Sequence, residues 1–252
     1  MTQRDSLKRA LSKRVALVTG SATRLGKEIA RKLHTAGFDV CIHYHSSSDK
    51  AQILADILNA ERSDSAFIIG QDLREKDAPG RVISQFKKHR KRLDLLVNNA
   101  SIFHKSSLKS TSIKDWDKII TTNTRAPYYL SLSAAPLLEK TNGSIINISD
   151  IHGKRPRPDY SIYCVSKAAL DACTLSLAIE LAPNIRVNSI APGAIIWAKS
   201  EKSTERTKAI GATPLERPGT PKDIAEAVLY FAESSYLTGQ ILNIDGGRSL
   251  NV

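Results

Sequence analysis

The sequence has little cysteine and no long hydrophobic run. Its three cysteines, Cys41, Cys164 and Cys173, are far apart and form no CxxC or cysteine/histidine grouping, which argues against a disulfide framework and against a zinc site. The longest uninterrupted apolar runs, such as 15–18, hold only a few residues, whereas a bilayer span needs about 20. We therefore expect a cytoplasmic protein with no membrane partner and no bound metal.

Acidic residues are scarce relative to basic ones, 25 against 37, so the formal net charge is +12. Such a charge permits an anionic partner, for example nucleic acid, an acidic membrane or a phosphorylated cofactor. Basic residues cluster at 1–14 and at 87–92, but no aromatic residue lies within the second cluster. Since single-stranded nucleic acid binds to aromatic residues interleaved with cations, we expect a solvated helix end at 87–92 and no nucleic-acid partner.

The 252 residues are 41% hydrophobic and 25% charged, a composition typical of globular proteins. Because α/β folds of about 200–250 residues are commonly one domain, we predict a basic N-terminal segment at 1–13 and one domain at 14–252.

From residue 14 onward, short β-branched apolar runs alternate with segments of helical period. This alternation predicts an α/β fold with a doubly wound, parallel sheet. Seven strands are predicted, at 15–19, 39–44, 66–69, 93–97, 144–148, 185–190 and 240–244. Helices are predicted at 25–35, 49–60, 78–91, 113–139 with a bend near Pro127, 161–181 and 221–232. The stretch 191–219 has no regular pattern, and we interpret it as a lid or binding loop.

A glycine-containing turn follows the first predicted strand and leads into a helix. Gly20 and Gly26 bracket this turn, and such glycines let the backbone approach a pyrophosphate, whose charge the helix N-terminus stabilises. Turns of this kind also serve only as tight corners, so the pattern alone leaves both interpretations open.

The second predicted strand lacks an acidic residue after its end. In sites for NAD such a residue, about 20 positions beyond the turn, binds the ribose hydroxyls. Here that position is Ser46, and His45, Ser46 and Ser47 instead offer hydroxyl and cationic donors for a 2′-phosphate. We therefore expect NADPH to be preferred over NADH.

Tyr163 and Lys167 are four residues apart on a predicted helix, so their side chains lie on one face. A tyrosine hydroxyl has an ordinary pKa of about 10, and a neighbouring ammonium group lowers it by favouring the phenolate. This pair is a candidate for proton transfer, with a surface pair on an amphipathic helix as the alternative.

Taken together, these signals resemble the short-chain dehydrogenase/reductase superfamily. The similarity covers about residues 14–248 and keeps the order of the family's motifs, which here are Gly20 and Gly26, NNA at 98–100, Asn123, Tyr163 with Lys167, Pro192 with Gly193, and DGG at 245–247. The resemblance implies one Rossmann domain, hydride transfer from a nicotinamide and a homotetramer built on the long helices. It implies Tyr163 as proton donor, Lys167 as modifier of the tyrosine pKa and ribose ligand, and Asn123 in a proton relay.

The resemblance also implies the cofactor site. Besides His45, Ser46 and Ser47, the expected cofactor-binding residues are Gly20, Arg24, Leu25, Gly26, Asp72, Leu73, Asn99, Ala100, Tyr163, Lys167, Pro192 and Gly193.

Two departures from the common superfamily pattern are similar to pteridine reductases. Arg24 replaces the middle glycine of the turn, and Asp150 stands thirteen residues before Tyr163, where a serine is usual. The strings HYH at 43–45, NNASIF at 98–103 and YSIYCVSKAAL at 160–170 are also similar to that subgroup. One feature differs, since the subgroup often carries an arginine for the 2′-phosphate where Ser46 stands here.

An aspartate beside a tyrosine delivers a proton to a ring nitrogen, whereas a serine hydroxyl only orients a carbonyl oxygen. Phe103 is positioned to stack on a flat ring, or is an ordinary core residue. Arg24 offers forked donors to a pyrophosphate or pterin edge, or faces solvent. Trp197 lines the pocket or only anchors its lid. The expected substrate-binding residues are Arg24, Ser101, Phe103, Asp150, Tyr163 and Trp197.

The resemblance thus implies an NADPH-dependent pteridine reductase that reduces dihydropterin to tetrahydropterin, with dihydrofolate as a further substrate. One alternative is a reductase of carbonyl substrates such as 3-oxoacyl thioesters or sugars. A second is a non-catalytic NADP(H)-binding protein.

Overall fold

Seven parallel strands form the centre of the molecule. The computed structural model describes residues 13–197 and 202–250. The strands are β1 (Arg14–Val18), β2 (Phe38–Tyr44), β3 (Ala66–Gly70), β4 (Leu95–Asn98), β5 (Ser144–Ile148), β6 (Arg186–Pro192) and β7 (Ile241–Ile244). They lie in the order β3-β2-β1-β4-β5-β6-β7, and each neighbouring pair is parallel. The predicted α/β fold with a doubly wound, seven-stranded parallel sheet is confirmed.

Helices connect these strands and cover both faces of the sheet. Within the described residues they are α1 (Arg24–Thr35), α2 (Ser48–Glu61), α3 (Ala78–His89), α4 (Ile113–Ile120), α5 (Ala126–Leu138), α6 (Ser161–Glu180), α7 (Ser203–Gly211) and α8 (Pro221–Glu233). The start of α8 is fixed by a capping box, in which Thr220 Oγ1 accepts from the amide of Asp223 and the Asp223 carboxylate accepts from the amide of Thr220.

The sheet is buried on both faces, which explains the continuous apolar runs in its strands. In β1, Val18 belongs to a cluster with Ile29 of α1 and Phe231 of α8. Leu17 points to the other face and belongs to a cluster with Phe86 of α3. Because both faces are covered, apolar side chains occupy successive positions rather than alternate ones.

The strand order reverses between β1 and β4. From β1 the chain builds the sheet outward through β2 and β3, and it then returns to place β4 on the other side of β1. In sheets of this kind the connections diverge at the reversal, which leaves a crevice outside the carboxyl ends of the strands.

The helix predicted at 113–139 with a bend near Pro127 runs in the structure from residue 113 to residue 138 as α4, a π-helical turn and α5. A π-helical turn, Thr121–Arg125, separates α4 from α5. Pro127 lies in the first turn of α5, two residues after the end of the π-helical turn. Thr122 Oγ1 donates to the Lys118 carbonyl at 2.9 Å, and back-bonding of this kind bends helices.

The stretch 191–219 is not wholly irregular, since it contains α7. The Glu205 carboxylate accepts from the Lys202 amide at 3.2 Å, which stabilises the start of this helix. Residues 198–201 of the expected lid and most of the N-terminal segment, 1–12, lie outside the described residues. The division of the chain at residue 13 stays a prediction.

Of the helices described, α6 alone is long and apolar enough to cross a membrane by length and composition. More than half of its apolar window is buried inside the fold, with Leu177 and Ala178 in the core against the sheet. We therefore interpret α6 as a core helix. The absence of a membrane partner and the cytoplasmic location stay predictions.

Candidate active site

A cavity of about 990 Å³ lies at the carboxyl ends of the strands, beside the reversal between β1 and β4. It contains most of the residues that the sequence analysis assigned to cofactor and substrate. Those lining it are Gly20, Arg24, Leu25, Gly26, His45, Asp72, Leu73, Asn99, Ala100, Ser101, Phe103, Asp150, Tyr163, Lys167, Pro192, Gly193 and Trp197. Three assigned residues do not line it, namely Ser46, Ser47 and Asn123.

The glycine turn between β1 and α1 is tightly packed. Gly20 has a φ of +63°, a conformation that favours glycine. A Cβ on Gly26 would lie 2.5 Å from both the Gly20 carbonyl oxygen and Asn99 Nδ2, so no side chain fits there. Asn99 Nδ2 in turn donates to the Thr19 carbonyl at 2.8 Å. A bare backbone at a helix N-terminus, facing a basic cavity, fits the pyrophosphate of a dinucleotide.

Arg24 occupies a strained position in this turn. Its φ of +53° places it in the left-handed region, which costs a residue with a Cβ roughly 1–2 kcal/mol. Its Nη2 donates to the carbonyl of Trp197 at 3.4 Å, and the Arg206 guanidinium lies 5.8 Å from the Trp197 ring. Arg24 thus links the glycine turn to the segment that follows β6 across the cavity.

His43 is a site residue that the sequence analysis did not assign. Only 1% of its surface is exposed. Its Nδ1 accepts a hydrogen bond from the Gly20 amide at 3.2 Å, and its Nε2 donates one to the Gln71 carbonyl at 3.1 Å. Burial lowers the pKa of His43 from 6.5 to about 4, so the ring is neutral at pH 7. The imidazole therefore joins the turn after β1 to the segment after β3. The only sequence signal was a histidine inside a buried strand.

We expect the neutral ring of His43 to make folding pH-dependent. Its pKa is lower in the folded protein than in the unfolded chain, so this stabilisation is complete above about pH 6.5 and falls as the pH drops towards 4. A shift from 6.5 to about 4 corresponds to about 3 kcal/mol. Urea unfolding at pH 7 and pH 4.5 should show a smaller loss of stability in His43→Asn than in the wild type.

Asn is the matched substitution because its Oδ1 keeps an acceptor for the Gly20 amide. His43→Leu removes that acceptor and should lower the free energy of unfolding at pH 7 by about 1–3 kcal/mol, the cost of a buried amide left without a partner. Equal pH dependence in the wild type and His43→Asn would contradict this role.

The end of the cavity near β2 and β3 carries an ion-pair cluster. Arg74 Nη2 lies 2.6 Å from Asp72 Oδ2, and His45 Nε2 lies 3.4 Å from the same oxygen. The hydrogen bonds from Arg74 are the largest of several causes that lower the pKa of Asp72 to about 2. Ser46 and Ser47 were expected here but do not line the cavity, and their part in cofactor binding stays a prediction. Arg74 lines the cavity at this end, and the sequence analysis did not assign it.

Asp150, Tyr163 and Lys167 converge where β5 meets α6. Tyr163 Oη donates to Asp150 Oδ2 at 2.7 Å. Asp150 Oδ1 accepts from the His152 amide at 2.8 Å, which fixes the carboxylate. Lys167 Nζ donates to the Ile148 carbonyl at 2.8 Å and lies 5.7 Å from the Tyr163 ring centre.

The pKa of Tyr163 differs from the expectation that Lys167 lowers it. Burial is the main cause that raises the pKa of Tyr163 well above 10, and the charge of Asp150 raises it further. Burial lowers the pKa of Lys167 from 10.5 to about 8, against the opposing effect of Asp150 and Asp171. Tyr163 therefore holds its proton at neutral pH, as a proton donor must before it acts.

Asn123 lies in the π-helical turn and is 1% exposed. Its Nδ2 donates to the Ile102 carbonyl and to Ser166 Oγ, both at 3.0 Å, while its Oδ1 accepts from the Ile102 amide at 2.8 Å. The side chain thus holds the loop after β4 against α6. These bonds position the loop that carries Ser101 and Phe103, and the part of Asn123 in a proton relay stays a prediction.

Phe103 lines the cavity beside Tyr163, and 39% of it is exposed. Its ring stacks on Tyr160, with centroids 4.4 Å apart and planes at 17°, and meets Tyr163 edge-on at 4.8 Å. Tyr160 therefore covers one face of the Phe103 ring, and a flat substrate would contact the part of Phe103 that is exposed.

Several known proteins that are similar to this chain are reductases. A family model described as Enoyl-(Acyl carrier protein) reductase matches residues 20–249. Nodulation protein G of Rhizobium sp. (strain N33) is 34% identical over 246 residues, which cover 95% of this chain and 98% of the relative. The 3-oxoacyl-[acyl-carrier-protein] reductase of Staphylococcus aureus (strain N315) is 33% identical over 92% of this chain and 96% of its own. The enzyme of the same name from Thermotoga maritima is 32% identical over 94% and 98%.

Proposed function

Because the chain belongs to the short-chain dehydrogenase/reductase superfamily, an oxidoreductase family that uses NAD(P)H, we propose that it reduces the C=N bond of a pterin. In this proposal NADPH supplies the hydride. The substrate is a dihydropterin that becomes a tetrahydropterin, and dihydrofolate is a second substrate.

The hydrogen bond between Tyr163 and Asp150 carries this proposal. Reduction of C=N places a hydride on carbon and a proton on nitrogen, so the site needs an acid beside the ring. The carboxyl group of Asp150 sits 2.7 Å from the Tyr163 hydroxyl, and a carboxyl can relay a proton to a basic ring nitrogen. A serine at this position would offer a hydroxyl suited to orienting a carbonyl oxygen.

The other residues of the cavity have roles in the same proposal. The turn around Gly20 and Gly26 holds the pyrophosphate, and Arg74 with His45 lies towards the ribose. Lys167 holds the nicotinamide ribose and faces the Tyr163 ring. Tyr163 passes its proton towards Asp150 and the substrate nitrogen, and Phe103 lies against the flat ring.

Reduction of a 3-oxoacyl thioester is a second candidate function, and the named relatives favour it over the pterin. Two of the relatives described above are 3-oxoacyl-[acyl-carrier-protein] reductases at 32–33% identity. Against it stands Asp150, because a carboxylate beside the tyrosine would repel the negative charge that develops on a carbonyl oxygen.

Coupled oxidation of NADPH with a panel of substrates tests the proposal. The panel contains dihydrobiopterin, dihydrofolate, oxidised biopterin and acetoacetyl-CoA. We expect kcat/KM for dihydrobiopterin to exceed that for acetoacetyl-CoA by about 100-fold or more, since a site built around one hydrogen-bonding pattern rejects the other. NADPH should also be used in preference to NADH.

If the protein reduced acetoacetyl-CoA readily and reduced no pterin, the pterin proposal would be wrong. Reduction of a 3-oxoacyl thioester would then be the supported function. Equal kcat/KM with NADH would contradict only the cofactor preference and would point to the serine at position 46.

We also propose that the protein is a homo-oligomer, with a tetramer expected from the resemblance. The outward face of α6 carries Val165, Leu175 and Ile179, which are 46%, 46% and 78% exposed. A helix that is apolar on both faces is normally buried on both, and a second copy of α6 would supply the missing cover.

A further inference from the structure

Arg74 lies in the wall of the cavity, on the segment that follows β3. Its Nε donates to Asp72 Oδ1 at 3.0 Å and its Nη2 donates to Asp72 Oδ2 at 2.6 Å. Its Nη1 donates no hydrogen bond to another described residue, and 42% of the side chain is exposed. One edge of the guanidinium is therefore held by the protein, and the other edge is left for a ligand.

The main chain of Arg74 is fixed as firmly as its side chain. Its amide donates to Asp72 Oδ1 at 2.9 Å, and its carbonyl accepts from Arg125 Nη2 at 2.8 Å. Because the guanidinium is already oriented, a ligand that binds it does not have to order a long, flexible side chain.

The position of Arg74 matches the ribose end of a dinucleotide. His45 directly follows β2, and the residues just beyond this strand are those that meet the adenosine ribose in doubly wound folds. His45 Nε2 lies 3.4 Å from Asp72 Oδ2, and Arg74 Nη2 lies 2.6 Å from the same oxygen. The two nitrogens are therefore close enough for one phosphate group to contact both.

The arginine of the glycine turn reaches in another direction. Arg24 Nη2 donates to the carbonyl of Trp197 at 3.4 Å, and Trp197 follows β6. In the sheet, β6 lies on one side of β1, whereas β2 and β3 lie on the other. Ser46, which stands where an arginine was expected, does not line the cavity. This leaves Arg74 as the candidate arginine for an anion near β2 and β3.

We propose that Arg74 is the residue by which this protein distinguishes NADPH from NADH, through contact with the 2′-phosphate. The proposal rests on the proposed function only in its use of NADPH, and it assigns to the segment after β3 the arginine that the loop after β2 lacks. Arg74 offsets the charge of Asp72, which alone would repel a phosphate. Its forked N–H groups suit a phosphate oxygen, whereas the hydroxyl of NADH gains much less from them.

Nucleotide binding by the full-length protein tests this assignment without any pterin. Fluorescence titration gives Kd for NADPH and NADH, and calorimetry gives Kd for adenosine 2′,5′-bisphosphate and 5′-AMP. In Arg74→Gln we expect Kd for NADPH to rise about 10- to 100-fold, the range of one hydrogen bond to a charged group. Kd for NADH should change less than about threefold, and the two adenosine nucleotides should show the same difference.

Two further variants control for charge and for the fork. Arg81→Gln removes the arginine of another exposed ion pair that follows β3, in which Arg81 Nη1 lies 2.5 Å from Glu75 Oε2. Arg81 does not line the cavity, so every Kd should stay unchanged. Arg74→Lys should recover part of the loss for NADPH, because lysine keeps the cation without the fork.

An equal rise of Kd for NADPH and NADH in Arg74→Gln would mean that Arg74 only shapes the wall of the cavity, and it would overturn the assignment. An unchanged Kd for NADPH would overturn it as well. Failure of the pterin proposal is a separate result, because a wild type that reduces no pterin can still show the expected difference between the two nucleotides.

Discussion

Replacing Tyr163 with phenylalanine should lower kcat by about 10²- to 10⁴-fold, the loss typical of a missing general acid. The phenylalanine ring keeps the edge contact with Phe103 and the shape of the site, but the donor to Asp150 is gone. NADPH affinity should change little, because the glycine turn and Lys167 are untouched. Single-turnover reduction with bound NADPH separates the two effects, and fluorescence titration measures the affinity.

Tyr160→Phe is the matched control for this prediction. It removes the same atom from a neighbouring tyrosine that stacks on Phe103 but does not line the cavity, and kcat should stay within a few-fold of the wild type. Near-normal turnover in Tyr163→Phe would show that the proton comes from another group.

Asp150→Asn should lower the rate of pterin reduction by about 10²- to 10⁴-fold while NADPH still binds. An amide of the same size can still accept from the His152 amide, so the local backbone is kept, but it has no acidic proton for the substrate nitrogen. Asp150→Ser restores the residue usual in the superfamily, and it should lower pterin reduction equally while giving weak activity on 3-oxo compounds. The same substrate panel measures both variants.

Asp159→Asn provides the control, because it makes the same carboxylate-to-amide change on an exposed residue of the adjacent loop. Asp159 has a φ of +63°, which asparagine tolerates well, so folding should be unaffected and activity retained. If Asp150→Asn reduced dihydropterin as fast as the wild type, Asp150 would not be the proton relay. If Asp150→Ser gained no carbonyl activity, the residue would not by itself set the substrate class.

Much of the fold could be predicted because the relevant patterns are local. The apolar run of β5 lies within one segment of the sequence, and the strand appears in the structure. The spacing of Tyr163 and Lys167 places them on one helical face for the same reason. The bend predicted near Pro127 takes the form of a π-helical turn, in which Asn123 and Thr124 make contacts with α6 that the sequence pattern alone does not show.

The sequence by itself determined the parallel α/β sheet, the glycine turn and the residue types of the candidate site, because these follow from periodicity, spacing and side-chain chemistry along the chain. Only the tertiary structure decided that His43 supports Gly20 and that Ser46 and Ser47 do not line the cavity. These relations join segments far apart in the chain, and they depend on how the strands and helices pack. Burial is likewise a property of that packing, and it raises the pKa of Tyr163 where the sequence predicted a lower one.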